Sequence, residues 1–432
     1  MAMAELKKMK VLPRRAPAPH HLKKLLFFKK YYRWALWLSL SLSLYFFHSS
    51  FLFPTPTAPP APAVGAHHPP ELGIYVYDLP PSYNRDWLAA DGRCRSHLFA
   101  AEVAINEALT GSPLAVSNPA EADFFLVPVY VSCNFSTANG FPSLSHARPL
   151  LHSAVHRVSA LHPFWNRSSG RDHVFIASHD YGACFHAMED ATVVDGIPEF
   201  MRNSVLLQTF GVRSPLRCQE VEHVVIPPKH QHVSSDVTEW APRPEAVKRD
   251  IWVFFRGKME VHPKNVSGRF YSKKVRTEIW NRFNGNRRFH LRRKRFDGYR
   301  SEIARSVFCL CPLGWAPWSP RLVESVELGC VPVVIADGIR LPFPDTVDWP
   351  SISLTVPEHD VGRLESILDH VAATNLTAIQ SNLWDPVVRR TLTFNLPMRE
   401  GDATWQVARA LEGKLDRSWR RNGGRSQSES DT

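Results

Sequence analysis

Four stretches of this 432-residue chain carry side chains whose types and spacing could do chemistry. The longest runs from Phe308 to Ile335 (FCLCPLGWAPWSPRLVESVELGCVPVVI). An apolar run ends near Leu310, Pro312 to Trp318 reads as a loop, and Ser319 followed by Pro320 signals a helix start that Gly329 closes. A helix that begins at the end of a strand can stabilise a diphosphate with its free N–H groups and its dipole. Arg321 would add a cation in the first turn, and Glu324, one turn on, is spaced to accept hydrogen bonds from a ribose diol. The plainer reading is an Arg321–Glu324 ion pair with Trp315 and Trp318 in a core. Upstream, Phe254-Phe255-Arg256-Gly257-Lys258 directly follows an apolar run. Arg256 there suits either a phosphate clamp or a surface salt bridge. In the first half, His179 and Asp180 follow the apolar run His173–Ala177, where a general base would emerge. Glu102 is a further base candidate. The run from Arg287 to Arg295, six bases in nine positions, fits an acidic ligand or a solvated face and stays unassigned.

These residues need elements to hold them. From Gly73 onward, short apolar runs alternate with segments of helical period. Strands are expected at Ile74–Tyr77, Phe124–Tyr130, His173–Ala177 and Glu222–Ile226, then at Ile251–Phe255, Val307–Leu310, Val331–Ile335 and Ile352–Leu354. Helical periods fall near 97–109, 147–161, 272–283, 320–328 and 361–372. That alternation predicts an α/β fold with parallel sheets and ligands at the strand carboxyl ends. Two such series predict two Rossmann-like domains, 71–240 and 241–421, facing across a cleft, with a polar tail at 422–432.

The formal net charge is +11. Residues 1–33 hold ten Lys/Arg and one acid, hence +9; the remainder carries 42 bases and 40 acids, hence +2. A broad nucleic-acid surface is therefore excluded. After the basic tail, residues 34–53 run without a charge or proline for about 30 Å of helix, enough to span a bilayer. Bases on one side only place the tail in the cytosol and the rest in a lumen. A cleaved signal peptide would have a shorter basic region, and a transit peptide no such uncharged stretch. Seven prolines in residues 54–70 form an extended stem. Tail, anchor, stem and domain are the layout of a membrane enzyme of the secretory pathway.

Sequons at Asn134, Asn166, Asn265 and Asn375 fit that compartment. Seven cysteines allow up to three disulfides and one free thiol, with the pairing open. Cys309-Leu-Cys311 lacks a second pair at zinc spacing. No Asp-x-Asp pair occurs, so no metal or other cofactor is expected and the chain's own cations would have to meet phosphate charge.

Several strings carry a resemblance. Tyr75-Val-Tyr-Asp-Leu-Pro80, Glu121 to Pro128, Val129 to Ser136, Trp165-Asn-Arg with Asp172-His173, Phe254-Phe-Arg-Gly257, Met259 to Asn265 and the Cys309–Val334 block resemble the exostosin family, glycosyltransferase family 47, in its plant cell-wall branch. The resemblance covers about residues 72–416. It implies a GT-B fold, type II Golgi topology and inverting transfer from a nucleotide sugar in hemicellulose assembly. The donor so implied is UDP-glucuronate and the acceptor a glucuronoxylan chain, with other xylan-synthesising transferases as partners. By position, Arg256, Ser319, Arg321 and Glu324 would meet the donor, while the base, His179 or Asp180, is less settled. Another donor such as UDP-xylose, a linkage at the xylan reducing end, and a non-catalytic scaffold are the competing readings. If the donor is a glucuronate, a cation must meet its carboxylate, and Lys258, Arg269 and Lys273 are the open alternatives.

Overall fold

The computed structural model describes residues 37–39, 70–137, 140–186, 195–213, 218, 223–230, 248–259, 270–293 and 298–415. The anchor, stem and tail expected at the N-terminus therefore lie outside the described residues, apart from 37–39 and residue 70. Among the described residues no helix is long and apolar enough to cross a membrane. Residues from Pro69 onward form one compact unit.

The first half is built on β1 (Ile74–Val76), β2 (Phe124–Leu126), β3 (His173–Ala177) and β4 (Val205–Gln208). After the short β5 (Gly211–Val212), β6 (Val224–Val225) completes a five-stranded parallel sheet in the order β1-β2-β3-β4-β6. Both faces are covered, so these strands are apolar throughout rather than alternating. Phe124 and Leu126 pack on one face with Ile105 and Leu109 of the helix Ala101–Thr110. Phe125 points the other way, onto Leu151, Val155 and Val158 of the helix Ala147–Leu161. The C-terminal helix Ala403–Gly413 returns across the chain and buries Val407 and Leu411 in this first core.

The second half holds β7 (Ile251–Arg256), β8 (Phe289–Arg292), β9 (Ser306–Pro312) and β10 (Val331–Ile335), then β11 (Ile339–Arg340) and β12 (Leu354–Thr355). Its parallel sheet runs β12-β10-β9-β7-β8. In local numbering this is the order 2-1-3-4-5, whose direction reverses between β7 and β9. Ligands of such sheets bind at that reversal, outside the strand carboxyl ends. β11 pairs antiparallel with β5 and ties the halves together.

Differences from the sequence reading are local. Phe124–Tyr130 is a strand only to Leu126, with Pro128 two residues beyond. Residues 349–352 form a helical turn with Pro350 in its first positions, and the strand expected there is Leu354–Thr355. β4, β5, β8 and β11 were not expected. The cysteines pair as Cys94–Cys133, Cys184–Cys218 and Cys309–Cys330, leaving Cys311 as a buried thiol. Of the sequons, Asn166 and Asn375 are exposed and Asn134 is half-buried against His146, while Asn265 lies outside the described residues.

Candidate active site

The carboxyl ends of β3, β7 and β9 meet at one cavity of about 970 Å³. Its floor joins the two halves: Phe99 and Phe210 from the first pack with Ala316 and Trp318 from the second. The Trp318 and Phe210 rings are stacked at 6.4 Å. Trp318 Nε1–H donates to Asp180 Oδ1 at 2.8 Å, so a residue of the β9 loop grips a carboxylate at the end of β3.

Asp180 and His179 both line the cavity, in different states. The turn that carries them is pinned by Ser178, whose hydroxyl donates to Phe99 O at 2.6 Å and whose carbonyl accepts from Thr209 Oγ1 at 3.0 Å. Burial pushes Asp180 up to about 6, opposed by the Trp318 hydrogen bond and by Arg276. His179 is 8 % exposed between the rings of Phe99 and Tyr181, and burial drives its pKa down to about 3. A general base works best when its pKa lies near the working pH. An imidazole that gives up its proton at about 3 has little affinity for a substrate proton, so Asp180 is the stronger base of the pair. Glu102 is sealed at 2 % exposure, accepts from Ser132 N–H at 2.9 Å, and is held protonated well above the usual carboxyl range by burial. It does not line the cavity.

Removing the Trp318 donor gives a direct check. Trp318→Phe keeps an aromatic ring in the floor and deletes the N–H that favours ionised Asp180. The acid limb of the pH–rate profile should move above its native position near pH 6. An unmoved limb would show that Asp180 does not set it.

On the other wall, four cations among the described residues line the cavity: Lys258, Arg276, Arg293 and Arg321. Among the described lining residues Asp180 is the one acid. Arg321 is 3 % exposed, with Cζ 4.5 Å from the Phe255 ring centre. Its Nε donates to Arg256 O at 2.9 Å and its Nη1 to Ser319 Oγ at 3.0 Å. Arg276 donates to Leu313 O, Pro312 O and the Tyr271 hydroxyl at 2.7–2.9 Å. Burial lowers its pKa to about 10, which leaves it charged. Three successive left-handed residues, Ser272, Lys273 and Lys274 (φ 50°, 48° and 71°), precede the helix Val275–Phe283 that carries it. Such a non-glycine run is costly, and strain of this kind gathers at functional sites.

The donor residues expected from sequence are thus only partly brought together. Arg321 reaches the cavity; Arg256, Ser319 and Glu324 do not line it. Arg256 turns to Glu302, donating from Nη2 at 2.7 Å, and it is the carbonyl of Arg256 that serves Arg321. The helix is Arg321–Glu327, with Pro320 at its cap position, so Ser319 is not the cap and its hydroxyl holds Arg321 instead. Glu324 accepts from Tyr299 OH at 2.6 Å on the second sheet's flank. The ion pair Arg321–Glu324 is likewise replaced by these contacts. Of the three cations considered for a donor carboxylate, Lys258 lines the cavity, Lys273 is paired with Glu358 at 2.9 Å away from it, and Arg269 lies outside the described residues. The basic run divides as well: Arg288 pairs with Glu365 and Asp369, whereas Arg293 faces the cavity. Arg276, Tyr271 and Trp318 had no local signal, because only the closing of the two halves gives them their place. The chain Asp172–His173–Tyr77, linked at 2.7 and 3.0 Å, resembles a catalytic relay but is sealed near the opposite end of β3.

Two parallel α/β halves meeting at a cationic cleft, with a raised carboxylate on the facing wall, make an arrangement suited to an anionic substrate and to proton abstraction beside it. The Exostosin GT47 domain matches residues 68–371. A probable glucuronoxylan glucuronosyltransferase of Arabidopsis thaliana is 59% identical over 430 residues, covering 93% of this chain and 91% of its own length. A second of that description, from the same plant, is 57% identical over 434 residues, covering 91% and 96%. A probable beta-1,4-xylosyltransferase of Arabidopsis thaliana is 39% identical over 346 residues, covering 80% and 82%. This chain belongs to the exostosin GT47 family and is a glycosyltransferase.

Proposed function

We propose that this chain transfers glucuronate from UDP-glucuronate to a xylan chain, with inversion and without a metal. The observation that carries the reading is Asp180, raised to about 6 and positioned by Trp318 in a cavity whose other wall is cationic. The acceptor hydroxyl gives its proton to Asp180 as its oxygen attacks the anomeric carbon. The bond from that carbon to the diphosphate oxygen breaks, and the nucleotide diphosphate leaves with the electron pair. Arg321 and Arg276 answer the charge on the leaving group, and fixed donors of this sort need no reorganisation as that charge develops. The names of the 59% and 57% identical relatives support a glucuronoxylan product.

The surplus of cations supports a hexuronate donor, which carries one more negative charge than a nucleotide diphosphate-pentose. Lys258 is the residue assigned to that carboxylate. The 39% identical relative named as a xylosyltransferase favours a second reading, in which UDP-xylose is the donor. Calorimetric titration of the full chain with UDP-glucuronate, UDP-xylose and UDP separates them. UDP-glucuronate should bind about tenfold more tightly than UDP-xylose, and Lys258→Met should remove that margin, since a charge-assisted hydrogen bond is worth about 1.5–3 kcal/mol. A reversed preference would favour UDP-xylose, and no binding by a folded chain would leave the scaffold reading.

The basic tail, the uncharged stretch and the stem support a single-pass type II protein of the Golgi membrane with its domain in the lumen. Three cysteine pairs and exposed sequons agree with an oxidising compartment. Protease treatment of sealed Golgi vesicles should spare the domain and remove only the tail; digestion of the whole chain would reverse the orientation.

A further inference from the structure

Exposed aromatic rings are costly unless something covers them in use. Among the described residues from Pro69 onward, two large aromatic side chains are counted as exposed: Phe141 at 48% and Trp315 at 42%. Both line the cavity. They come from opposite halves, Phe141 from the loop before the helix Ala147–Leu161 and Trp315 from the loop after β9. Each ring is braced rather than loose. Trp315 meets Tyr271 in a T-shaped contact at 5.0 Å, and Phe141 meets His97 likewise at 5.8 Å. The cavity is thus flanked by two wet, positioned aromatic platforms, with Asp180 lining it between the halves.

We infer that Phe141 and Trp315 form the acceptor subsite, each stacking on the apolar C–H face of one sugar in a β-linked pyranose chain. This deepens the reading above and rests on it for the acceptor class. Pyranoses with equatorial hydroxyls present a flat apolar face to a ring and leave their hydroxyl edges to water. Stacking therefore holds the chain while a single hydroxyl is offered to Asp180. Phe141 belongs to the same half as the base, which must touch the acceptor. Trp315 shares its loop with Trp318, which grips that base. An acceptor held across both halves also accounts for the exposure of a ring on each of them.

The test measures acceptor affinity without donor. Calorimetry of the full chain with linear β-1,4-xylohexaose is compared for the native protein, Phe141→Ala, Trp315→Ala and Trp315→Tyr. Each alanine variant should weaken xylohexaose binding about tenfold and raise the acceptor KM by more than it changes kcat; Phe141→Ala, remote from Lys258, should keep its UDP-glucuronate affinity, and Trp315→Tyr should retain most of the xylohexaose affinity. Both positions are exposed, so the thermal midpoint should stay put, which separates lost stacking from lost folding. Loss of UDP-glucuronate affinity in Trp315→Ala, with xylohexaose unaffected, would overturn the inference by showing that the ring stacks on the nucleotide. Absence of xylohexaose binding by the native chain, or no change in either alanine variant, would overturn it as well. Because no donor is present, a preference for UDP-xylose in the earlier titration would leave this result standing.

Discussion

Asp180→Asn is expected to lower kcat by a factor of about 10²–10⁴, the usual contribution of a positioned general base. The substitution is nearly isosteric. The side-chain oxygen of asparagine can still accept from Trp318 Nε1, so the contact between the halves persists. What disappears is the proton acceptor. UDP-glucuronate affinity should hold or rise slightly, because the cations keep their geometry and a negative charge has left the cavity. The native acid limb comes from the same group: transfer should fall as pH drops through about 6, where Asp180 takes up a proton, and level off above it. His179→Gln makes the contrast. That imidazole is already neutral across this range, so its loss should not move the limb. A variant Asp180→Asn that kept within tenfold of native kcat would transfer the base to another group.

The second large effect comes from a residue with no side chain. A Cβ added at Gly257 would lie 2.3 Å from Arg321 Nη2 and 3.2 Å from its Cζ. A guanidinium tip usually swings aside at little cost. This one is buried, packed on Phe255 and held by the Arg256 carbonyl and the Ser319 hydroxyl, so moving it breaks charge-assisted bonds of about 1.5–3 kcal/mol each. Gly257→Ala should therefore cost about 10²-fold in kcat/KM for the donor, by displacing a cation that answers the leaving diphosphate. Arg321→Ala should cost at least as much, and the double variant no more than Arg321→Ala alone, since both act through one group. Additive losses would show that Gly257 matters for another reason.

The architecture was legible because both sheets are parallel and covered on both faces, which makes their strands read as continuous apolar runs. The strands that escaped notice lack that signature. Phe289–Arg292 alternates buried and half-buried or exposed residues inside a basic run, and Val205–Gln208 is only four residues long. For the site, sequence position placed His179 and Asp180 at a strand end and Arg321 in the first turn of a helix, and all three line the cavity. Spacing could not say which groups would be consumed by internal partners. Arg256 was chosen as a charge at a strand end and Glu324 as a helix carboxylate spaced for a ribose diol, yet Glu302 and Tyr299 arrive from the segment before β9 to engage them. Arg276 and Trp318 matter for the converse reason: a buried guanidinium on three carbonyl and hydroxyl oxygens, and an indole reaching across the halves, are tertiary facts that no local pattern encodes.

Single displacement by an acceptor hydroxyl, with Asp180 as its base and a hexuronate as the transferred group, leaves its record in the product. The full chain would be incubated with UDP-glucuronate and linear β-1,4-xylohexaose, and the oligosaccharide examined by mass and by proton NMR. The expected product gains one anhydro-hexuronate with the β anomeric configuration, inverted from the α-linked donor, and this gain is lost in Asp180→Asn. An α-linked hexuronate, or transfer undiminished in Asp180→Asn, would contradict it.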